Sequence, residues 1–316
     1  MSKEIKEEII SLSFPKNKID KDINKACSLR KIIIPSSIFK YLNIEVEKDE
    51  NNKDVIYSLE NLKNNSVWLS NPNDFNDPYD GHFFFDLEKS REYTSSKDMK
   101  NILKMDSYSH LSEVEKKDIK DSKNPIKTYI SILNKKSNVD TENLQKEINS
   151  IGLKKDIKKM KNKFRISSFS EVNNSILMWS HYAKNHTGFC IEYETGDDKL
   201  LSELFPVVYT DDFFDITDAI LTEDIYKPYM LQSVFRKCNV WEYEQEWRIV
   251  YETKDNINGY LHKIEEIKAV YMGTKIENSN KKELEMICKD KKIDLYQMEL
   301  SDEKFELISK LVSSDE

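Results

Sequence analysis

Trp241-Glu242-Tyr243-Glu244-Gln245-Glu246-Trp247-Arg248-Ile249-Val250-Tyr251 is the stretch on which the fold turns. At a period of two, Tyr243, Gln245, Trp247, Ile249 and Tyr251 share one face of a strand and Glu244, Glu246, Arg248 and Val250 the other. A row of carboxylates ending in a guanidinium is the ordinary pattern of an ion-paired solvent face, where such pairs contribute little. Here rings bracket the charges, and that places the strand inside the fold, where Glu and Arg are seldom left without a partner or a task.

Outward from that strand, Phe164 to Ser170 alternates as a strand, and Phe189 to Tyr193 and Phe205 to Tyr209 read as two more. Asn173-Asn174 offers an N-cap for a helix through Ile176, Leu177, Met178, Trp179, Tyr182 and Ala183, stopped by Gly188. Thr217 to Lys237 reads as a long helix. Beyond the central strand come a strand over Ile267 to Met272, a helix over Ser279 to Lys291, a strand over Ile293 to Leu300 and a short helix near Phe305 to Leu311. Towards the N-terminus, Val67 to Ser70 is a short strand, Val55 to Asn64 a helix, and Ile32 to Tyr41 a strand entering the core behind a polar docking arm at 1–30. Strands and helices mix without regular alternation or repeat. The pattern predicts a single α+β domain over 1–316, with a mixed or mainly antiparallel central sheet flanked by helices. Residues 87–163 are rich in Lys, Ser and Asp and carry no chemical motif; they read as a helical insertion.

Composition narrows the classes. The 316 residues are 38% hydrophobic and 11% aromatic, too much apolar and ring material for a disordered chain despite 34% charged residues. A net charge of −8 gives no bulk attraction to nucleic acid, so such a partner needs a local basic groove. Five of the 49 basic residues are Arg, the side chain that more often has a specific partner, and Arg248 is one of them. Cys27, Cys190, Cys238 and Cys288 form no CxxC pair and read as reduced, mostly buried thiols. The charged N-terminus and the lack of a long apolar window predict a cytoplasmic protein with no membrane contact.

Two further segments combine polar and aromatic residues as the central strand does. Phe75-Asn76-Asp77-Pro78-Tyr79-Asp80 is an ordered turn whose Asn and Asp residues either satisfy their own backbone or, at Asp77 and Asp80, present carboxylates to a metal or a ribose. Phe169-Ser170 is followed by Met178-Trp179-Ser180-His181-Tyr182-Ala183 and His186-Thr187-Gly188-Phe189. On a helix, His181 and His186 lie about 140° apart, so they do not form the i, i+4 pair of a helical zinc site. A packed structural histidine is the simplest reading of each, and Trp179 reads as core.

Taken together, these segments resemble domain of unknown function family 2971, a mainly bacterial family. Its shared features are a Phe-Asn-Asp-Pro-aromatic-Asp loop, a Phe-Ser pair, Trp-Ser-His-Tyr-Ala with a downstream His-x-Gly-Phe, and an aromatic-Glu-x-Glu-aromatic-Arg strand. They stand here at Phe75 to Asp80, Phe169-Ser170, Trp179 to Phe189 and Tyr243 to Arg248. Many members carry Tyr-Arg in the first strand; this chain has Phe39-Lys40-Tyr41-Leu42 instead. The resemblance implies a role in bacterial defence or stress, antiviral defence included.

The core also resembles the ADP-ribosyltransferases, which implies NAD as cofactor and a macromolecular or small-molecule acceptor. Breaking the nicotinamide–ribose bond creates an oxocarbenium-like centre that a positioned carboxylate stabilises. On that resemblance Glu246, with Glu244, His181 and Tyr182, would be catalytic. Lys40, Tyr41, Ser170, Trp179 and Arg248 would hold the dinucleotide, and Asn76, Asp77, Asp80 and His186 would meet substrate. Two alternatives stay open. In a nuclease or hydrolase, Asp77, Asp80, Glu244 and Glu246 would bind Mg²⁺ and His181 or His186 would move protons. In a non-catalytic sensor or interaction domain, an aromatic groove would take a protein partner. Self-association into a homo-oligomer fits any of the three.

Overall fold

A computed structural model describes residues 2–15, 22–84, 86, 111–123, 125–136, 158–159, 161–196, 198–217, 226–253, 257–265 and 267–312. The chain divides into two compact units: Met1–Gly81, Lys161–Asp212 and Val234–Glu316 form the first, His82–Met160 and Phe213–Ser233 the second.

The first unit is built on a ten-stranded sheet. Its strands are β1 (Ser37–Leu42), β2 (Ser66–Ser70), β3 (Phe164–Ser170), β4 (Phe189–Glu194), β5 (Leu204–Pro206), β6 (Glu246–Glu252), β7 (Gly259–Lys263), β8 (Ile267–Met272), β9 (Asp294–Leu300) and β10 (Leu307–Leu311). The order is β7-β2-β3-β1-β4-β8-β9-β10, with β6 paired to β3 and β5. Every pair is antiparallel except β8 with β9, so the sheet is mixed and the α+β expectation holds.

Around it pack α1 (Lys3–Ser13), α2 (Ile23–Ile33), α3 (Tyr57–Lys63), α4 (Ile176–Tyr182), α5 (Asp198–Glu203) and α6 (Asn278–Lys291). One core, with Ile38, Leu69, Ile191, Trp247, Ile249 and Val270 from the sheet, is closed by Leu59 and Leu62 of α3 and by Leu284 and Ile287 of α6. A smaller core on the opposite face gathers Tyr41, Cys190, Ala269 and Tyr271 under Met178 and Trp179 of α4. In the second unit, helices span Glu113–Asp121 and Pro125–Lys136, the former opened by a capping box between Ser112 and Glu115. Phe83–Phe84 pairs there in parallel with Phe214–Asp215. Most of the expected insertion at 87–163 lies outside the described residues.

Several sequence expectations need correction. The described residues of the polar arm at 1–30 include two helices, and α2 runs through Ile33, started by Asp22, whose carboxylate caps Lys25 N–H, and stopped before Pro35. The central strand starts at Glu246, because Asn239–Glu244 is a 3₁₀ turn. The helix expected over Thr217 to Lys237 is helical at Tyr226–Val234, while Arg236–Lys237 pairs in parallel with Val208–Tyr209; residues 218–225 lie outside the described residues. The expected strand Phe205 to Tyr209 is two short pieces around Val207. Leu307–Leu311 is an edge strand on β9 where a helix was expected, and β7 was not foreseen. The α4 cap is Ser175, one residue beyond the Asn pair, accepting Met178 N–H.

Candidate functional site

The site forms where the sheet forks. β6 pairs with β3 along its whole length, but the other edge of β3 is shared: β1 meets it with Phe39 opposite Ser170, β2 with Ser70 opposite Ile166. Between those contacts the carbonyl of Ser168 accepts the ammonium of Lys40 at 3.1 Å. The Lys40 ammonium also lies 5.2 Å from the ring centre of Phe169. A cleft of about 180 Å³ opens at this fork. β1, β2 and β3 supply Phe39, Lys40, Tyr41, Trp68, Ser70, Ser168 and Ser170, the turn after β2 supplies Phe75, Asn76 and Asp80, and Tyr182, Lys237, Glu244 and Glu246 complete it.

Beneath the cleft lies a buried charge cluster. Glu246 and Arg248 point to the same face of β6, while Trp247 and Ile249 enter the main core on the other. The guanidinium of Arg248, fully buried, donates through Nε to Glu246 Oε1 (2.7 Å), through Nη2 to Glu246 Oε2 (3.0 Å), and to both oxygens of Asp80 (2.7 and 2.6 Å). Its remaining N–H reaches the Val234 carbonyl at 2.6 Å. Lys237 bridges the two glutamates, donating to Glu244 Oε2 and to Glu246 Oε2 at 3.1 Å, and sits 5.1 Å from the Trp241 ring centre. The Tyr182 hydroxyl donates to Glu244 Oε1 at 2.6 Å.

The two glutamates converge through a local backbone device. Gln245 adopts a left-handed conformation (φ 44°, ψ 57°) between the 3₁₀ turn and β6. That bend, uncommon for a residue with a Cβ, brings Glu244 and Glu246 to one ammonium from two different elements. The Ser170 hydroxyl donates to the Glu244 carbonyl at 2.7 Å, and the Tyr209 hydroxyl accepts Glu246 N–H at 2.9 Å, which fixes the corner on both sides.

Burial and charge push the two carboxyls in opposite directions. For Glu246, burial favours the neutral form, but Arg248 and Lys237 outweigh it and hold the group well below the usual carboxylate range. For Glu244, burial also favours the neutral form; Lys237 opposes it, the neighbouring Glu246 charge adds to it, and the carboxyl is raised. Burial pulls the Lys40 ammonium down to about 8 against the opposing charge of Glu246. Burial likewise raises the Tyr182 phenol, leaving it a neutral donor to Glu244.

The cleft thus collects Glu244, Glu246, Tyr182, Lys40, Tyr41, Ser170, Asn76 and Asp80 from the sequence candidates, with Arg248 directly behind them. Besides Arg248, four candidates do not line it. His181 is exposed and packs edge-on to Trp241. His186 is buried, stacked on Trp179, with Nε2 3.2 Å from the Ser180 hydroxyl. Trp179 is core and donates to the Asn173 carbonyl at 2.7 Å. Asp77 caps its own turn by accepting Tyr79 N–H at 2.9 Å. Lys237 was missed because one lysine in a lysine-rich chain carries no signal. Trp68, Phe75 and Ser168 read as plain strand and turn residues.

Among the described residues no group of three or more His, Cys, Asp or Glu is placed to hold a metal ion. The three acids nearest that arrangement, Asp80, Glu244 and Glu246, already have Lys237 and Arg248 as counter-charges. All four cysteines are free, with Cys190 and Cys288 buried, and no helix among the described residues is long and apolar enough to cross a membrane. Comparison with curated proteins and with solved structures finds no match. A family model does match, over residues 178–249, which run from α4 to Ile249 of β6 and include Tyr182, Lys237, Glu244, Glu246 and Arg248. By that match, the family to which the motifs pointed is the one this segment represents, the protein of unknown function family DUF2971.

Proposed function

We propose that the cleft binds NAD and cleaves its nicotinamide–ribose bond, passing the ADP-ribosyl group to an acceptor. The observation that carries this reading is the charge balance of the buried cluster. Asp80, Glu244 and Glu246 are three carboxylates hydrogen-bonded to two cations, Lys237 and Arg248. Within that hydrogen-bonded set alone, three ionised carboxylates exceed the two cations by one charge, with the Lys40 and Lys161 ammoniums in electrostatic reach of Glu246 and Asp80. A buried surplus of that kind takes up a proton, which is the direction in which Glu244 is displaced, or it faces a cation that forms during reaction. Heterolysis of the glycosidic bond creates such a cation at the ribose C1′, while the electron pair leaves with nicotinamide. Glu246, held anionic, supplies the stabilising charge. Glu244, with its carboxyl raised, is the group suited to take the proton that the acceptor gives up as it bonds to C1′. Tyr182 and Tyr41 supply ring surface beside the carboxylates, and Lys40 supplies a cation suited to a phosphate.

In this assignment proton transfer falls to Glu244, and His181, a catalytic candidate from sequence, does not line the cleft. Hydrolysis with Mg²⁺ is disfavoured by Lys237 and Arg248, which occupy the positions a divalent ion would take. An aromatic docking groove without turnover leaves the opposed carboxyls without a task.

Calorimetric titration with NAD⁺, run beside Mg²⁺ and paired with an assay for released nicotinamide, tests the proposal. Wild type is expected to bind NAD⁺ saturably, and Glu246→Gln, which removes the charge that stabilises the C1′ cation, to keep that binding while losing about a hundred-fold or more of nicotinamide release. Wild-type protein that binds no NAD⁺ overturns the proposal. Mg²⁺ binding lost on Glu246→Gln would replace it with the metal-dependent reading.

A further inference from the structure

Trp68 is 45% exposed, although its neighbours Val67 and Leu69 on β2 are buried in the main core. Strand alternation turns it, with Ser70, towards the cleft that both line. Its position depends on a glycine in the next strand. Gly259 of β7 pairs with Ser70, and a Cβ there would fall 1.9 Å from Trp68 Cζ2, 2.2 Å from Cε2 and 2.7 Å from Cη2. The six-membered edge of the indole therefore fills the space of a missing side chain and lies down on the β7 backbone. An indole settled this way keeps ring surface open to the cleft, the form of a stacking platform.

We infer that Trp68 is the base-binding platform of the cleft, taking a purine-sized heteroaromatic ring from the ligand whose ribose lies at Glu244 and Glu246. The inference deepens the NAD reading by assigning the adenine end, and it rests on that reading for the rest of the ligand. Three observations select a planar ring as the occupant: the platform is continuous with the carboxylate cleft, it is an indole, and the adjacent strand omits the side chain that would lift it. Stacking is tolerant of base identity and is sensitive to loss of the ring beneath.

The test is calorimetric titration of the full chain with AMP and, separately, with nicotinamide mononucleotide. AMP is expected to bind wild type. Its dissociation constant should rise by about ten-fold or more in Trp68→Ala and stay within about three-fold of wild type in Trp68→Phe, which restores a ring. Gly259→Val, which displaces the indole without removing it, should weaken AMP as Trp68→Ala does. Far-UV circular dichroism of each variant shows that it is folded. An AMP affinity unchanged in folded Trp68→Ala, or wild type that does not bind AMP, overturns the inference. AMP binding that needs Trp68, together with nicotinamide mononucleotide that does not bind, upholds the platform and overturns the NAD reading alone.

Discussion

Arg248 uses all five of its N–H groups from a fully buried position, four of them on the carboxylates of Asp80 and Glu246. Of the five arginines in the chain, Arg30 and Arg165 are also buried, each donating to backbone carbonyls. The planar fork explains the choice, since one guanidinium satisfies two carboxylates that a single ammonium spans poorly. Arg248→Met, which leaves Asp80 and Glu246 without that cation, is therefore expected to lower unfolding stability by about 3–5 kcal/mol, the range for a buried pair broken on one side. Urea denaturation at pH 7 measures it, and a loss under about 1 kcal/mol would mean that Asp80 and Glu246 find other partners. The cluster itself was legible from sequence in part. Alternation placed Glu244, Glu246 and Arg248 on one face; that holds for Glu246 and Arg248, whereas Glu244 lies outside the strand and joins them through the left-handed Gln245, a conformation that no residue preference at that position announces.

At the scale of elements, the fork is the feature that makes a site out of a sheet. β3 is a continuous strand, but its second edge is divided between β1 and β2, and the Lys40–Ser168 bond spans the gap. An ammonium held there is less basic than in the unfolded chain: the folded value is about 8 against 10.5. Between those values the unfolded state binds the proton that the folded state has released, so this group makes stability rise with pH across that window. The urea midpoint of wild type relative to Lys40→Met should accordingly climb as pH goes from 8 to 10.5. A constant difference would show that Lys40 titrates normally. Why β3, β4, β8 and α6 were readable and others were not follows from length and pattern. Fourteen residues with Leu284, Ile287 and Cys288 on one face make α6 unmistakable. Leu307–Leu311, with only Leu307 buried, is too short for its periodicity to tell helix from edge strand. Ile32-Ile33-Ile34 was ambiguous for the same reason, and Lys237 fell at the end of an apparent helix whose last three residues are a turn at Phe235 and a two-residue strand. The fork leaves no mark in sequence, because it depends on which strands share an edge, a long-range choice.

For the molecule as a whole, the division into two units separates the chemistry from the rest. Both hydrophobic cores, the buried charge cluster and every residue lining the cleft belong to the first unit, although its chain is interrupted twice. A unit with its own core is expected to fold alone. The first interruption also leaves and returns at neighbouring points: a Cβ at Gly81 would lie 3.7 Å from the Lys161 side chain. A short linker can therefore replace 82–160, since closing a short loop costs less than closing the long excursion it replaces. A chain trimmed in this way is expected to unfold cooperatively in urea and to bind NAD⁺ within about three-fold of wild type. If it unfolds without a cooperative transition, the first unit draws part of its stability from residues outside its own cores. If it folds but loses NAD⁺ binding that wild type retains, the removed residues take part in that binding.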